Sequence, residues 1–476
     1  MRILYKLILI PPLAAAAQPA RLVANLQPTP AAAEPTEFVA NLQRTPAPAS
    51  AQLAANLQQQ ILDRLARLEE ENRALRRELD EIRQTVAGRP PAAPTQATAT
   101  ERLDVHERRI DEQAQTKVEA SQRFPIRLTG MALANLFHNG PNANGLDVPT
   151  QAARANGRST AGLSFRQSVF GMEYGSTASV WGGQVRGSLF FDFFDGLAEA
   201  TFGPARLRTA TLELDWKSRS VLVGLEKPLF SQRDPMSFSY SGISPLTGSG
   251  NLWRWHPQIR FEQRLPVSAA TQLRAQIALV QTNEDVGLTT GLPVAQLERR
   301  RPGAQGRLEF RHRLDETRRI EIAPAFHTSQ THFNGAGISS SLFAMDWFAN
   351  PWSRLEFSGM FFAGQNVHHF GALRQSFTIR PGAPPLPVHS RGGWSQFTVP
   401  VTTKLSFNLF GGIHDDRNRD LPATGIGANR TGAGNVMYRL APNVILSLEA
   451  LQLRTSYLGS PTRINNRYDL AVAYLF

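Results

Sequence analysis

The sequence predicts an all-β transmembrane barrel of about sixteen antiparallel strands, preceded by an α-helical coiled coil. Three observations carry this expectation. Beyond Phe124 the chain breaks into segments of roughly ten residues in which apolar and polar residues alternate with period two. Short and long connections take turns between these segments. The chain ends on RYDLAVAYLF, where Tyr468, Leu470, Val472, Tyr474 and Phe476 share one apolar face. No stretch reaches the roughly 18 uninterrupted apolar residues that a spanning helix needs.

Composition agrees with an exported β protein. The chain has 476 residues, 36 glycines, 27 phenylalanines and no cysteine. A chain without thiols can neither form nor misform disulfides in an oxidising compartment. The net charge of +12 is spread along the sequence. Nucleic-acid binding wants basic residues clustered on one element, and none is expected here.

The elements follow in order. MRILYKLILIPPLAAAAQPA places Arg2 and Lys6 before an apolar run and ends on the small-residue pattern of a secretory cleavage site, so residues 1–17 read as a signal peptide. Residues 18–51 read as a disordered Ala/Pro-rich leader in which ANLQ recurs, with a further copy at Ala55. Whether that leader binds peptidoglycan or nothing stays open. Residues 52–87 carry a heptad seam, with Leu65, Asn72, Leu79 and Val86 at a and Ile61, Leu68, Leu75 and Ile82 at d. A lone asparagine at a sacrifices stability and sets register, and RLARLEE resembles a pattern associated with trimeric coiled coils. A Pro-rich linker (88–100) and a short charged helix (101–121) lead to the barrel at 122–476.

Strand counting begins near Ile126 and ends at Phe476. ASVWGGQVRGSLFFDFF is read as a strand with Trp181, Val185, Leu189, Phe191 and Phe193 on its apolar face. Tight joins are expected at Gly175-Ser176, Lys217–Ser220, Asp315–Thr317, Asn350-Pro351 and Ala441–Asn443, with long polar stretches between them such as 138–158 and 365–391. Short periplasmic turns and long external loops are the habit of outer-membrane barrels.

A signal peptide, coiled coil, Pro-rich link and barrel closed by a terminal aromatic, in that order, resemble the trimeric porins of the DcaP-like and phosphate-selective group. The resemblance implies a homotrimer in the bacterial outer membrane with its coiled coil in the periplasm. It also implies lipid and lipopolysaccharide around the barrel and a pore for small, often anionic, solutes. Tyr474 and Phe476 then match the C-terminal recognition signal of bacterial outer-membrane proteins.

In such barrels the third external loop folds inward. Carried over, that role falls to residues 228–257, with Arg233 and Asp234 as its charged contributors. Inward positions on the following strands give Arg260, Arg264, Arg274, Arg307, Arg311, Arg313, Arg319 and Arg354, interrupted by Glu262, Glu309, Glu321 and Glu356. One reading is an arginine ladder that draws anions; the other is a charged wall whose members satisfy one another. His327 with His332, the pair His368-His369, and the acids Asp415, Asp416 and Asp420 support no metal set by spacing, although a calcium ion on the last group stays open. No cofactor is expected, and no nucleophile–base–acid set argues for an enzyme. The remaining alternative to a diffusion channel is a protein that tethers envelope layers, with the barrel only as its anchor.

Overall fold

The computed structural model describes residues 126–194, 204–282, 302–333, 335–373 and 375–476. The segments read as signal peptide, leader, coiled-coil seam, linker and short helix lie outside the described residues.

Along the chain run β1 (Ile126–Asn139), β2 (Thr160–Ser164), β3 (Val169–Val180), β4 (Gly183–Asp192), β5 (Arg206–Asp215) and β6 (Arg219–Glu226). Then come β7 (His256–Pro266), β8 (Thr271–Gln281), β9 (Pro302–Arg313), β10 (Arg319–Phe333), β11 (Ala336–Trp352) and β12 (Leu355–Gln365). β13 (Phe377–Arg380) and β14 (Ala383–Pro387) form a separate hairpin. β15 (His389–Pro400), β16 (Leu405–Asp416), β17 (Ile426–Ala441), β18 (Val444–Tyr457) and β19 (Arg463–Leu475) complete the set. All but the hairpin join one antiparallel sheet in chain order, and β1 pairs with β19, so the sheet closes. β2 and β3 both lie along β1, with Asn135 opposite Ser164 and Met131 opposite Val169, and share one position in a barrel of sixteen. Closure removes the open edge that a sheet would otherwise present.

The alternation read from the sequence sets which side chains face which way. In β19 Asn465, Arg467, Asp469, Ala471 and Ala473 are buried within the barrel, while Tyr468, Leu470, Val472 and Tyr474 are exposed on its outside. β7 repeats this, with His256, Gln258 and Arg260 inward and Ile259, Phe261 and Leu265 outward. The arrangement inverts that of a water-soluble protein: the polar face is the enclosed one.

The terminal residue takes part in closure. Gly130 and Phe476 exchange main-chain hydrogen bonds of 3.0 and 3.2 Å. The Phe476 ring packs 5.5 Å from that of Phe170, over a glycine whose added Cβ would stand 2.8 Å from the ring. Tyr474 and Phe476 are exposed on the outside of the barrel.

One end of the barrel carries the short turns, at 181–182, 216–218, 267–270, 314–318, 353–354, 401–404 and 442–443. The other carries long connections, among them 140–159, 227–255 and 366–388. Two details differ from the expectation. Gly175-Ser176 lies inside β3, and the chain reverses at Trp181-Gly182, both at positive φ, leaving the indole 86% exposed at the turn rather than on a strand. Asn350-Pro351 lies inside β11, whose ladder is irregular between Ala349 and Trp352. The alternation is also less strict than read, because on the loop end β10 ends at Phe333 directly opposite Ala336, the first residue of β11. Their ladder of unbroken pairs carries both strands beyond the rim of their neighbours.

Candidate functional site: a loop seated in the lumen

The segment 227–255 between β6 and β7 turns into the barrel, as expected for 228–257. Rich in Pro, Gly and Ser, it has few backbone partners of its own, and inward polar side chains of the wall supply them. Asn135 Nδ2 donates to the Phe238 carbonyl at 2.8 Å, Gln167 Nε2 to that of Ser239 at 3.0 Å, and Asn435 Nδ2 to that of Met236 at 2.8 Å. Gln167 is available because residues 165–168 bulge between β2 and β3 and turn its side chain inward, where its Oε1 also accepts from Gly242 N at 2.7 Å.

Most of the apolar residues of this loop are buried as well. Phe230, Leu252 and Trp253 join a core with Val148 and Ala152 of the first long connection and Val367 and Phe370 of the segment 366–388, and Leu229 packs separately on Ala278 and Val280 of β8. The loops are hydrogen-bonded to one another, Gly248 N to Gly371 O at 3.0 Å and Arg254 N to Phe370 O at 3.2 Å. At the loop end, therefore, apolar packing occupies much of the lumen. Burying each such Phe or Leu contributes about 1.5–3 kcal/mol.

The tip of the loop reaches the opposite wall through glycines. Gly250 has φ +103, and a Cβ there would meet Gly393 O at 2.2 Å and Ile413 O at 2.6 Å. A Cβ on Gly412 would stand 2.1 Å from Ser249 O. Beside this contact Ser249 Oγ bonds Thr431 Oγ1 at 2.7 Å and receives a bond from Asn429 Nδ2 at 2.8 Å.

Toward the turn end the lumen is charged. Arg307, with a fully buried side chain, grips Asp346 through Nε at 3.0 Å and Nη2 at 3.1 Å and reaches Glu309 at 2.7 Å. Arg274 meets Glu309 at 2.6 Å, Arg311 meets Glu321 at 2.7 Å and Glu309 at 3.4 Å, and Arg319 meets Glu321 at 2.9 Å. From the loop, Arg233 completes the group through Asp346 at 2.7 Å and through Glu321. Arg264 pairs with Asp215 and contacts Glu262 at 3.5 Å.

The predicted residues thus divide. Arg233, Arg264, Arg274, Arg307, Arg311 and Arg319 come together, and they do so as ion pairs rather than as a bare ladder. Arg260 is 9% exposed and bonds Gln258 Oε1 at 3.1 Å and Lys227 O at 3.0 Å. Asp234 is held by Lys227, Ser244 and Asn251, so it braces its own loop. Arg354 and Arg313 need correction as lining residues. Arg354 is exposed in the 353–354 turn, and Arg313 is exposed at the last residue of β9, bonded to Ala269 O at 2.6 Å. Strand alternation alone placed them inward, but both lie at the barrel's end.

Sequence reading missed Asp346 and Asp215, the carboxylates that organise the cluster. Both sit on inward positions, of β5 and β11, and only cross-strand proximity reveals their partners. It also missed Asp192, gripped by Arg206 at 2.6 Å and Arg208 at 2.8 Å, both of which pack over Trp255.

The histidines regroup. His327 and His369 lie 6.1 Å apart by ring centroid, and His256 lies 6.0 Å from His369, all around Phe370. Among the described residues neither ring nitrogen of the buried His369 has a hydrogen-bond partner, and burial beside the other basic groups pushes its pKa well down. Because the folded-state value lies below the unfolded one, about 6.5, the stability this neutral ring contributes is present above that pH and is lost as pH falls below it. Acidification should loosen the segment 366–388, and His369→Phe should reduce that sensitivity without removing it, because His256 and His327, buried beside Phe370, also gain charge as pH falls, as read by proteolytic nicking at a series of pH values.

Asp415, Asp416 and Asp420 do not converge. Asp415 pairs with Arg391 at 2.9 Å, Asp416 with His414 at 2.8 Å and Asp420 with His389 at 2.8 Å.

Comparison of the sequence with family models and with curated proteins gives no match. Solved structures do match. The outer membrane channel DcaP of Acinetobacter baumannii superimposes with a TM-score of 0.60 at 14% identity, over 74% of this chain and 97% of that one. The fold is a porin fold. An anion-selective porin from Comamonas acidovorans matches the porin barrel with a TM-score of 0.50 at 14% identity, over 74% and 99% of the two chains. OprB of Pseudomonas putida matches it with a TM-score of 0.50 at 8% identity, over 77% and 97%.

Proposed function

We propose that this protein is an outer-membrane channel for passive diffusion of small hydrophilic solutes, with a modest preference for anions. The observation that carries this reading is the loop 227–255 seated across a closed barrel beside a partly water-accessible arginine cluster. The names of similar folds, an outer membrane channel and an anion-selective porin, support it. The long connections then face outward from the cell and the short turns face the periplasm, with β1 entering from that side. Finer membership in the DcaP-like group, a homotrimer and a periplasmic coiled coil through Ile61, Leu65, Leu68, Asn72, Leu75, Leu79 and Ile82 complete the proposal. Export through the leader belongs to it as well.

The preference is expected to be weak. Within the cluster Arg233, Arg264, Arg274, Arg307, Arg311 and Arg319 outnumber Asp215, Glu262, Glu309, Glu321 and Asp346 by one. Two unit charges about 4 Å apart interact by roughly 1 kcal/mol in bulk water and about 4 kcal/mol near a protein surface. Salt screens the field over about 8 Å. Arg311 and Arg319, with side chains 38% and 42% exposed, are the cations a passing solute meets. Reversal potentials in a potassium chloride gradient should favour chloride at low salt, and Arg311→Glu with Arg319→Glu should reverse the sign. Equal passage of both ions by the parent leaves the arginines as wall and rejects the preference.

A further inference from the structure

The outside of the barrel is not uniformly apolar. Over most of it, outward positions carry side chains such as Ile259, Leu279 and Phe326. One row across β11 to β18 departs from this: in register, Trp347 lies opposite Gly359, Gly359 opposite Ser395, Ser395 opposite Gly411, Gly411 opposite Gly432, and Gly432 opposite Gln452. Around Ser395 and Gly411 of this row lies a groove of about 460 Å³, flanked by Trp347, whose indole covers Gly359, and Phe361 on one side and by Ile413 and Arg430 on the other, with open space continuing over Gly432.

One step toward the loop end, Arg430 stands directly opposite Arg454 on the neighbouring strand, both exposed and outward. Like charges directly opposed across a ladder are destabilising. Arg454 donates to Gln452 Oε1 at 2.6 Å, which leaves its charge uncompensated. Among the described residues of β15 to β19 the outward-facing carboxylate is Asp415, and Arg391 holds it. An unneutralised arginine pair at the head of a groove without side chains, on a surface facing hydrocarbon, calls for an anion with an apolar tail.

We propose that this groove binds one anionic lipid of the outer leaflet, lipid A by chemistry, with a phosphate between Arg430 and Arg454 and an acyl chain along the glycine row. Bidentate guanidinium–phosphate geometry suits the head, and open space above Gly432 suits the chain. A second copy docking through the same face about a twofold axis brings no free carboxylate from these strands, since Asp415 is held by Arg391. The inference rests on the outer-membrane reading.

The test uses the full-length protein, purified in detergent and titrated with lipid A, with phosphatidylethanolamine and with inorganic phosphate, bound lipid being counted by native mass spectrometry. The parent should bind lipid A in preference to phosphatidylethanolamine. Arg430→Gln with Arg454→Gln should weaken lipid A binding roughly tenfold or more, and Gly432→Leu should weaken it with the arginines intact. Undiminished binding by the double variant overturns the proposal. So does full displacement by inorganic phosphate together with no effect of Gly432→Leu, which would make the pair a free-phosphate site. Heat-modifiable migration confirms that each variant folds. All these positions lie outside the lumen, so unchanged conductance is expected, and failure of the channel reading would appear separately, in the parent's own conductance.

Discussion

Gly250→Val should open the channel. The substitution puts a branched side chain on a residue at φ +103, with its Cβ against the carbonyl oxygens of Gly393 and Ile413. Those atoms belong to the ladders of β15 and β16 and cannot yield, because moving them breaks the sheet that closes the barrel. The loop tip must lift instead, and it then forfeits the Ser249–Thr431 and Asn429–Gly248 hydrogen bonds. Overpacking of this kind costs typically about 1–3 kcal/mol, on the scale of the few bonds that seat the tip. Single-channel conductance should rise, and larger sugars should enter in liposome swelling, while the barrel keeps its heat-modifiable migration. Gly412→Val approaches the same contact from the wall and should act alike. Unchanged conductance in both variants would mean that the tip does not govern the passage.

The second large effect is on stability. Arg307→Leu removes a guanidinium that holds Asp346 and Glu309 at once within a buried part of the lumen. Removing one member of a buried ion pair costs about 3–5 kcal/mol, because the partner's charge stays where water cannot reach it. Arg233 still contacts Asp346, and Arg274 still contacts Glu309, so the loss should fall toward the lower end of that range. Replacing Asp346 by Leu in the same chain should restore part of the loss, since an apolar pair needs no compensation. Denaturant unfolding followed by tryptophan fluorescence measures both, and a double variant no better than Arg307→Leu would assign the cost to packing alone.

What was legible in the sequence follows from period and parity. Tyr468, Leu470, Val472 and Tyr474 fall outward and Arg467 and Asp469 inward because a strand has two faces and only one of them touches hydrocarbon. The infolding loop could be placed by its ordinal position and length, and the six clustered arginines by alternation along β7 to β10 together with the loop. Arg354 and Arg313 show the limit of parity, which assigns a face but not a height in the barrel.

Only the tertiary structure decided what those inward residues meet. Asp346 lies 113 residues from Arg233 yet bonds it, and His369 joins His256 across a similar gap, because closure brings distant strands to one lumen. The glycine pairs at 392–393 and 411–412 look in sequence like weak points of strands, and their use appears only when Gly250 arrives from another part of the chain. Likewise Arg430 and Arg454 are unremarkable apart. Register puts them side by side, and the absence of a nearby free carboxylate on those strands turns two surface charges into a site. Local periodicity is written in neighbouring residues, whereas charge balance and close contact depend on which distant residues the closed sheet brings within a few ångströms.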